Sequence, residues 1–308
     1  MGQYSATFRP VRDASVQHQL YGASTAWEAL DDIESDNDST YIFQPVNTDT
    51  TGQTVTTAIV LSGSIESTAP KIRIDSATLH VRTYNTSASS GVGGSGSVKT
   101  NVTYEIEGTT GSGTASSSTT WTDRTISIDV SLFNNRIGAY EIPVTLATTG
   151  TRGTSAKSED FEGRITQVYL EVTYDNYYDI TTIQCGTGSI QPSVEVREGD
   201  SYDSITIIGT DHKVVHVFDG ETEVTDQCTH EQENVLHYVV PNVTTNREIR
   251  AIFDDYVEVF VKRNGVWFKG DKVFIKAGGA WSEQTPSIDT VISRVFEGKK
   301  LLIDGKLN

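Results

Sequence analysis

Ala77-Thr-Leu-His-Val-Arg-Thr83 alternates apolar and polar residues, so that Leu79 and Val81 face one side of an extended chain. His80 and Arg82 face the other side. A period of two residues is the pattern of a β-strand with one face buried and the other in water. This stretch therefore predicts a half-buried strand, and the same pattern recurs along the chain.

Short β-rich runs of this kind dominate from residue 39 onward. They are Thr40–Phe43, Thr57–Leu61, Val98–Ile106, Thr125–Val130, Tyr140–Leu146 and Ile165–Tyr174. Stretches rich in Gly, Ser and Thr at 86–97 and 108–120 separate them and are too polar to pack, which favours long hairpin loops. About seven short strands with flexible connectors predict an all-β fold, with an antiparallel β-sandwich of jelly-roll-like topology over residues 1–178.

Helical periodicity is nearly absent, with one exception. Thr25 and Glu28 form a capping-box pair, in which each side chain accepts a hydrogen bond from the other residue's backbone N–H. Trp27, Leu30 and Ile33 follow at intervals of three residues. These residues predict one short helix that begins at Thr25 and ends near Ile33.

A second pattern begins near Asp179, after a junction expected at 176–180. Its turns are marked by Glu198-Gly199-Asp200 and Asp219-Gly220, because glycine adopts the positive φ that tight turns require. Short β-rich runs surround these turns. We expect a small β domain over residues 179–255, with a further junction at 254–256.

The remaining residues, 256–308, contain a repeat with a period of 14 residues. Val259-Phe-Val-Lys262, Gly265 and Trp267 recur as Val273-Phe-Ile-Lys276, Gly279 and Trp281. Identical spacing in two copies predicts tandem β-hairpins, with a turn at each glycine. Val291–Phe296 and Lys300–Ile303 are candidates for another hairpin.

The charge of the chain excludes some classes of partner. A formal net charge of −17 disfavours nucleic acid and anionic membrane surfaces, because both repel an acidic protein. Residues 256–308 hold nine Lys/Arg and six Asp/Glu, so this segment is basic and the rest of the chain is acidic. No apolar stretch is long enough to span a bilayer. The first ten residues have no basic region followed by an apolar run, so we expect no signal peptide.

Cys185 and Cys228 are the two cysteines of the chain and lie 43 positions apart. A disulfide between them would stabilise the fold by about 3–4 kcal/mol through loop closure. A protein that assembles in a reducing cytoplasm would instead keep both as free thiols. The sequence leaves both states open.

Other groups of residues are weaker candidates for chemistry. His212, His216, Cys228, His230 and His237 lie close together in sequence, but they lack the spacing of a zinc site, so we expect surface positions and no metal. The acidic run 31–38 lacks the glycine and the final glutamate of an EF-hand loop, which favours a solvated turn over a calcium site.

Trp121 ends a Ser/Thr-rich loop and is the candidate carbohydrate contact, because an aromatic face packs against the C–H groups of a sugar. Trp267 and Trp281 are explained by the hairpin repeat. No nucleophile motif, nucleotide loop or Cys/His pair occurs, and no pair of acidic residues is singled out. We therefore expect no catalytic residues and no cofactor.

Residues 183–253 resemble the divergent bacterial repeat related to the internalin B-repeat. The matching pieces are Gly188-Ser-Ile-Gln-Pro192, Val196, Glu198-Gly199-Asp200, Val217, Asp219-Gly220, Val224, Val243-Thr244 and Ile252-Phe253. The cysteine pair departs from the usual pattern of these repeats. The resemblance implies a spacer or adhesion module without catalytic residues.

The tandem hairpins are similar to the paired hairpins that end many bacteriophage tail and appendage proteins. The first domain is similar to β-sandwich proteins of phage virions at 27–42, 74–81 and 164–174. These resemblances imply a non-enzymatic structural component of a virion, in a neck, tail or head appendage. Its expected partners are copies of itself, other virion proteins and a host-surface glycan.

Two alternative functions remain open at the level of sequence. The chain has the composition of a protein that works outside cells, which also suits a bacterial surface adhesin or carbohydrate-binding protein. A leader peptide in the encoding gene would favour that alternative. A depolymerase-type enzyme is the third hypothesis and would need an acid pair that converges in a pocket.

Overall fold

The computed structural model describes residues 3–16, 19–31, 39–47, 53–90, 96–115, 119–152, 158–210, 213–232, 234–253, 258–263, 266–270, 273–277, 280–284 and 300–304. Side chains are described up to residue 253, except at 16, 47, 87–90, 158–159 and 215. The chain divides into two compact units, Gly2–Asn176 and Tyr177–Asn308. The assignment of independent domains at these or other boundaries stays a prediction. The junction predicted at 254–256 lies outside the described residues.

The first unit consists almost wholly of strands. In chain order its elements are β1 (Tyr4–Val16), β2 (Gln19–Tyr21), α1 (Ala26–Leu30), β3 (Tyr41–Asn47), β4 (Thr54–Ile65), β5 (Lys71–Ser90), β6 (Ser97–Ile106), β7 (Thr109–Ala115), β8 (Thr122–Ser127), a 3-10 helix (Val130–Phe133), β9 (Gly138–Thr151) and β10 (Ser158–Cys185). The predicted all-β, sandwich-like architecture is confirmed.

Two sheets form this sandwich-like unit, and β1 belongs to both. In the first sheet β10 pairs with β5, β3 and the start of β1, while β8 and β2 form its edges. The second sheet has the order β1-β4-β9-β6-β7. Tyr4–Phe8 pair with β10, whereas Arg9–Val16 pair with β4. The jelly-roll-like assignment stays a prediction.

Several elements of this unit, among them β1 and β7, were not predicted from the sequence. The buried alternation of β1 ends at Pro10, because two register shifts then interrupt its pairing with β4. β7 lies in a stretch that was expected to be a loop, and β5 likewise continues to Ser90. A side chain at Gly111 would collide with the ring of Tyr104 on β6, so this strand needs glycine and pairs through its backbone.

The predicted helix is present and shorter than expected. Thr25 Oγ1 accepts a hydrogen bond from the Glu28 backbone, and the Glu28 carboxylate accepts one from the Thr25 backbone, as the capping box requires. Asp13 on β1 also accepts hydrogen bonds from two further N–H groups of the first turn. The helix ends at Leu30, and residue 33 lies outside the described residues.

A polar layer crosses the interior of the sandwich. On each of β3, β4, β6 and β9, one of the inward-facing residues is polar where its neighbours on that face are apolar. These polar residues are Gln44, Thr57, Thr100 and Thr148, all 0% exposed. Gln44 Nε2 donates to Thr57 Oγ1 at 2.9 Å and to the Leu146 carbonyl at 3.2 Å, and Thr148 Oγ1 donates to Gln44 Oε1. The layer therefore satisfies its own buried groups.

The polar layer separates a main core from a small second one. The main core contains Phe8, Leu30, Ile59, Leu79, Phe133, Ile142 and Leu170, among others. The second contains Val46, Val98 and Phe161. Thr100 Oγ1 extends the hydrogen-bonded layer to Asn85 on β5, at 3.2 Å. Five strands thus contribute to one buried network.

The second unit begins with the last residues of β10. Its further elements are β11 (Ser189–Ile190), β12 (Val194–Arg197), β13 (Tyr202–Ile208), β14 (Val214–Asp219), β15 (Thr222–Glu223), a 3-10 helix (Thr225–Gln227), β16 (Thr229–Gln232), β17 (Val235–Val240) and β18 (Arg247–Phe253). The end of β10 pairs with β12 and, in parallel, with β18, which continues to β14 and β15. The other sheet has the order β11-β13-β17-β16.

The predicted turns of this unit are confirmed. Asp219 pairs with Thr222 across a hairpin whose first loop residue, Gly220, has φ +60°. Gly199 has φ +80° and donates its N–H to the Val243 carbonyl at 2.8 Å. Gly188 lies against the ring of Phe253, where a side chain would collide with that ring.

The predicted tandem hairpins are also confirmed. β19 (Glu258–Arg263) pairs antiparallel with β20 (Val266–Gly270), and β21 (Val273–Ala277) pairs antiparallel with β22 (Ala280–Gln284). The turn residues and 291–296 lie outside the described residues. β23 (Lys300–Asp304) was expected in a third hairpin, and it pairs instead in parallel with β19.

Candidate functional site

Aromatic and arginine side chains gather on the outer face of the first sheet. They come from β2, β3, β5, β10 and the residue that precedes β8, because alternate residues of each strand point to the same face. We call this set the aromatic–arginine face, and its members are Tyr21, Tyr41, Phe43, Arg82, Tyr84, Trp121 and Arg164. Every member is at least partly exposed.

The rings of this face form a continuous series of contacts that runs from Tyr21 to Tyr84. Tyr21 stacks on Tyr41 with ring centroids 4.8 Å apart and planes at 13°. Trp121 contacts Tyr41 edge-on at 5.8 Å and contacts Tyr84 at the same distance. Such pairs are each worth about 0.5–1.5 kcal/mol beyond their buried area, so they hold the rings in fixed positions.

Arg164 lies among these rings. Its guanidinium carbon is 5.0 Å from the ring centroid of Tyr84, 5.3 Å from that of Tyr41 and 6.0 Å from that of Phe43. Arginine is attracted to the negative face of an aromatic ring at such distances. Since β10 lies between β5 and β3, Arg164 joins the rings of both neighbouring strands into one cluster.

Each arginine of the face also has a carboxylate partner. Arg82 donates from its Nη1 to both oxygens of Asp123, at 3.0 and 3.1 Å, and lies 5.9 Å from the Trp121 ring. Arg164 donates to Glu162 at 2.9 Å. The positive charges are therefore balanced within the face.

A second stack lies farther along the same sheet. His80 and Tyr169 stack at 4.4 Å with planes at 3°, and the Arg9 guanidinium lies 5.8 Å from the Tyr169 ring. Burial raises the pKa of the Tyr169 hydroxyl, and the charge of nearby Glu171 raises it further. This phenol therefore stays neutral at ordinary pH and can donate a hydrogen bond.

Trp121, the predicted carbohydrate contact, lies inside the aromatic–arginine face. The residues around it were not predicted from the sequence, because they come from four other strands that are distant in the chain. Two spacings carried a signal: Arg82 and Tyr84 continue the alternation of the Ala77–Thr83 stretch, and Tyr41 and Phe43 alternate within their own run. The carbohydrate role of Trp121 stays a prediction.

The second unit contains a buried carboxylate that the sequence identified only as a turn residue. The Asp219 side chain is 4% exposed and pairs with both Nε and Nη2 of Arg247. Tyr238 donates its hydroxyl to Asp219 at 2.9 Å. Burial, followed by the hydrogen bond to Asp219, raises the pKa of Tyr238. The separate hydrogen bonds that Arg247 donates to Asp219 raise the pKa of Arg247.

Two histidines of this unit, His216 and His237, pair with carboxylates. His216 Nδ1 lies 2.6 Å from Glu223 Oε1, and the hydrogen bond from His216 lowers the pKa of Glu223. His237 lies 2.8 Å from Glu231 and contacts Ser204 at 3.0 Å, which links β16, β17 and β13. Within the described residues no three His, Cys, Asp or Glu side chains form a metal-binding group. His212 and residues 32–38 lie outside those residues.

Cys185 and Cys228, for which both a disulfide and free thiols were open, do not form a disulfide in the structure. Cys228 is buried, which raises the pKa of its thiol to about 11. Its Sγ donates to the Val224 carbonyl at 3.5 Å. Cys185 is partly exposed.

We expect iodoacetamide at pH 8 to alkylate Cys185 in the native protein and to leave Cys228 unmodified, because only the thiolate reacts. Because the pKa of Cys228 is higher in the folded chain than in the unfolded chain, the unfolded chain loses the Cys228 proton at a lower pH. Stability from this group is thus present below the unfolded pKa and is lost as pH approaches 11. Peptide mass spectrometry measures the labelling, and equal labelling of both cysteines would contradict the expectation.

Comparison with known proteins identifies no family. No family model matches the chain, and no curated protein matches it. A solved structure, the glycoside hydrolase domain of Endo-D from Streptococcus pneumoniae R6, aligns with 79% of this chain at 11% identity and a TM-score of 0.25. The alignment spans 32% of that protein. A similarity this weak supports no conclusion about fold or activity.

None of the helices in the described part of the chain has the length and apolar character needed to cross a bilayer.

Proposed function

We propose that this protein is a non-enzymatic structural component of a bacteriophage virion, located in a neck, tail or head appendage. It works by contact with copies of itself, with other virion proteins and with the host surface. The observation that carries the proposal is the aromatic–arginine face. Tyr, Trp and Arg are the residues that dominate binding energy at protein interfaces, and here they form one fixed cluster.

The energetics of this face favour contact over chemistry. Its rings and arginines are held by stacking and by two ion pairs, so little side-chain entropy is lost when a partner covers them. The second stack, of His80 and Tyr169 with Arg9, adds further aromatic surface to the same sheet. A protein that works through such a face needs surface complementarity and repeated copies rather than a reactive group.

The sequence supplies the link to virions. The tandem hairpins of residues 258–284 resemble those that end phage tail and appendage proteins, and residues 183–253 resemble a bacterial spacer or adhesion repeat. The basic segment 256–308 and the acidic remainder of the chain also favour contacts between neighbouring copies at low salt. Nucleic acid and membrane lipid are not among the proposed partners.

Analysis of purified phage particles tests the proposal. We expect gradient-purified particles to contain the chain in several copies per particle, as measured by quantitative mass spectrometry. Gold-labelled antibodies raised against the chain should decorate one fixed position on the particle. Absence from intact particles would contradict the proposal, and so would turnover of a polysaccharide that one carboxylate substitution abolishes.

A further inference from the structure

We infer that the Tyr21 end of the aromatic–arginine face is a binding site for an uncharged saccharide. This inference deepens the host-surface contact proposed above and rests on it. The site comprises the Tyr21 ring, the adjoining rings of Tyr41 and Trp121, and the polar side chain of Gln19.

The Tyr21 ring is exposed and yet fixed in place. It lies on β2, the edge strand of its sheet, and it is 60% exposed. One ring face is covered by Tyr41 at 4.8 Å, so the exposed surface includes the opposite ring face. A large aromatic side chain gains free energy when it leaves water, and this one is already oriented for a flat apolar ligand.

The chemistry of a sugar ring fits this arrangement. One side of a pyranose carries C–H groups that pack on an aromatic face, while its hydroxyl groups need hydrogen-bonding partners around the rim. Gln19 lies two residues before Tyr21 on the same face of β2, is exposed, and offers both a donor and an acceptor. The neighbouring rings extend the apolar surface from β2 to Trp121, which favours an oligosaccharide over a single sugar.

The charges of the face indicate that this saccharide is uncharged. Arg82 and Arg164 already pair with Asp123 and Glu162, so neither presents an uncompensated positive charge to a carboxylated or sulfated sugar. Residues 1–176 hold 20 Asp/Glu and 11 Lys/Arg, and this excess repels polyanions. Asp123 and Glu162 remain partly exposed and can accept hydrogen bonds from hydroxyl groups.

Binding of defined oligosaccharides to the full chain tests the inference. The probes are maltohexaose, cellohexaose and chitohexaose, with hexagalacturonate as the anionic comparator, measured by calorimetry and by saturation-transfer NMR at millimolar concentration. We expect at least one neutral probe to bind more tightly than hexagalacturonate. Tyr21→Ala and Trp121→Ala should each weaken that binding by about tenfold or more.

Two further variants separate stacking from folding. Tyr21→Phe keeps the ring and should bind within about threefold of the original chain, because ring packing supplies most of the contact. Tyr4→Ala removes another partly exposed tyrosine of the same unit, outside the aromatic–arginine face, and should bind as the original chain does. Circular dichroism confirms that each variant is folded.

Several outcomes would overturn the inference. These are failure of every neutral probe to bind, tighter binding of hexagalacturonate, or unchanged binding by Tyr21→Ala. If Tyr21→Ala instead abolishes self-association in sedimentation experiments, the face is a protein interface and the saccharide site is refuted. Particles that incorporate Tyr21→Ala normally while no saccharide binds would leave the virion function standing and refute only the saccharide site.

Discussion

Replacing Asp219 by alanine is expected to lower the free energy of unfolding of the Tyr177–Asn308 unit by about 3 kcal/mol. The substitution leaves Arg247 without its carboxylate partner, and the Tyr238 hydroxyl loses the acceptor that lies 2.9 Å away. The Arg247 guanidinium then stays in a partly buried position without its partner, and such an unpaired charge costs more than the pair contributes. The effect should therefore exceed that of removing any exposed carboxylate in the same unit.

Hydrogen exchange followed by mass spectrometry measures this effect within the unit. We expect peptides from β17 and β18 to lose protection in Asp219→Ala, because these strands carry Tyr238 and Arg247. Asp203→Ala is the matched control, since Asp203 is an exposed carboxylate on β13 and its loss should cost less than about 0.5 kcal/mol. Equal protection in both variants would show that the buried pair contributes little to stability.

Gln44→Leu should destabilise the first unit by about 3 kcal/mol, although the two side chains have similar volumes. Leucine cannot hydrogen-bond, so Thr57 Oγ1, the Leu146 carbonyl and Thr148 Oγ1 each lose a partner. A buried polar atom without a partner costs about 1–3 kcal/mol. A network of fully buried groups is therefore more sensitive to one apolar substitution than an apolar core is.

Thermal unfolding measures this second effect. A loss of about 3 kcal/mol corresponds to a fall in Tm of roughly 6–12 °C for a unit of this size. Gln53→Leu is the control, because Gln53 is exposed and its side chain takes no part in the layer. In the double variant Gln44→Leu with Thr148→Val, the cost should be smaller than the sum of the single costs, because both partners of one bond are removed together. A strictly additive cost would rule out coupling between them.

The sequence predicted those elements whose signals are local. Alternation of Leu79 and Val81 marks one strand, Thr25 and Glu28 cap the helix, and the 14-residue repeat marks the two hairpins. Each of these patterns consists of residues that are close in sequence to the element whose structure they determine. β1 and β7 were missed because β1 changes sheets after Phe8 and because Gly111 replaces the apolar side chain that a strand usually shows.

Of the seven residues that form the aromatic–arginine face, only Trp121 was predicted from the sequence. Trp121 was singled out for its chemistry, whereas Tyr21, Tyr41 and Tyr84 become its neighbours only through pairing between strands that are distant in sequence. Asp219 was assigned to a turn, and that assignment is correct. Its second role depends on Arg247, which lies 28 positions away and is brought to it by the β14–β18 pairing. A spacing pattern cannot encode such partners.

The position of β1 has a consequence for the order of folding during synthesis. Phe8 pairs with Leu170, so the first sheet cannot complete this pairing until more than 160 further residues have left the ribosome. At common rates of translation this delay is on the order of ten seconds. The second sheet is also completed late. Its strands β1 and β4 can pair early, but its central strand β9 is synthesised long after them. Until then the nascent strands carry unpaired edges that could pair with a neighbouring nascent chain, so dense polysomes would favour exchange of β1 between copies.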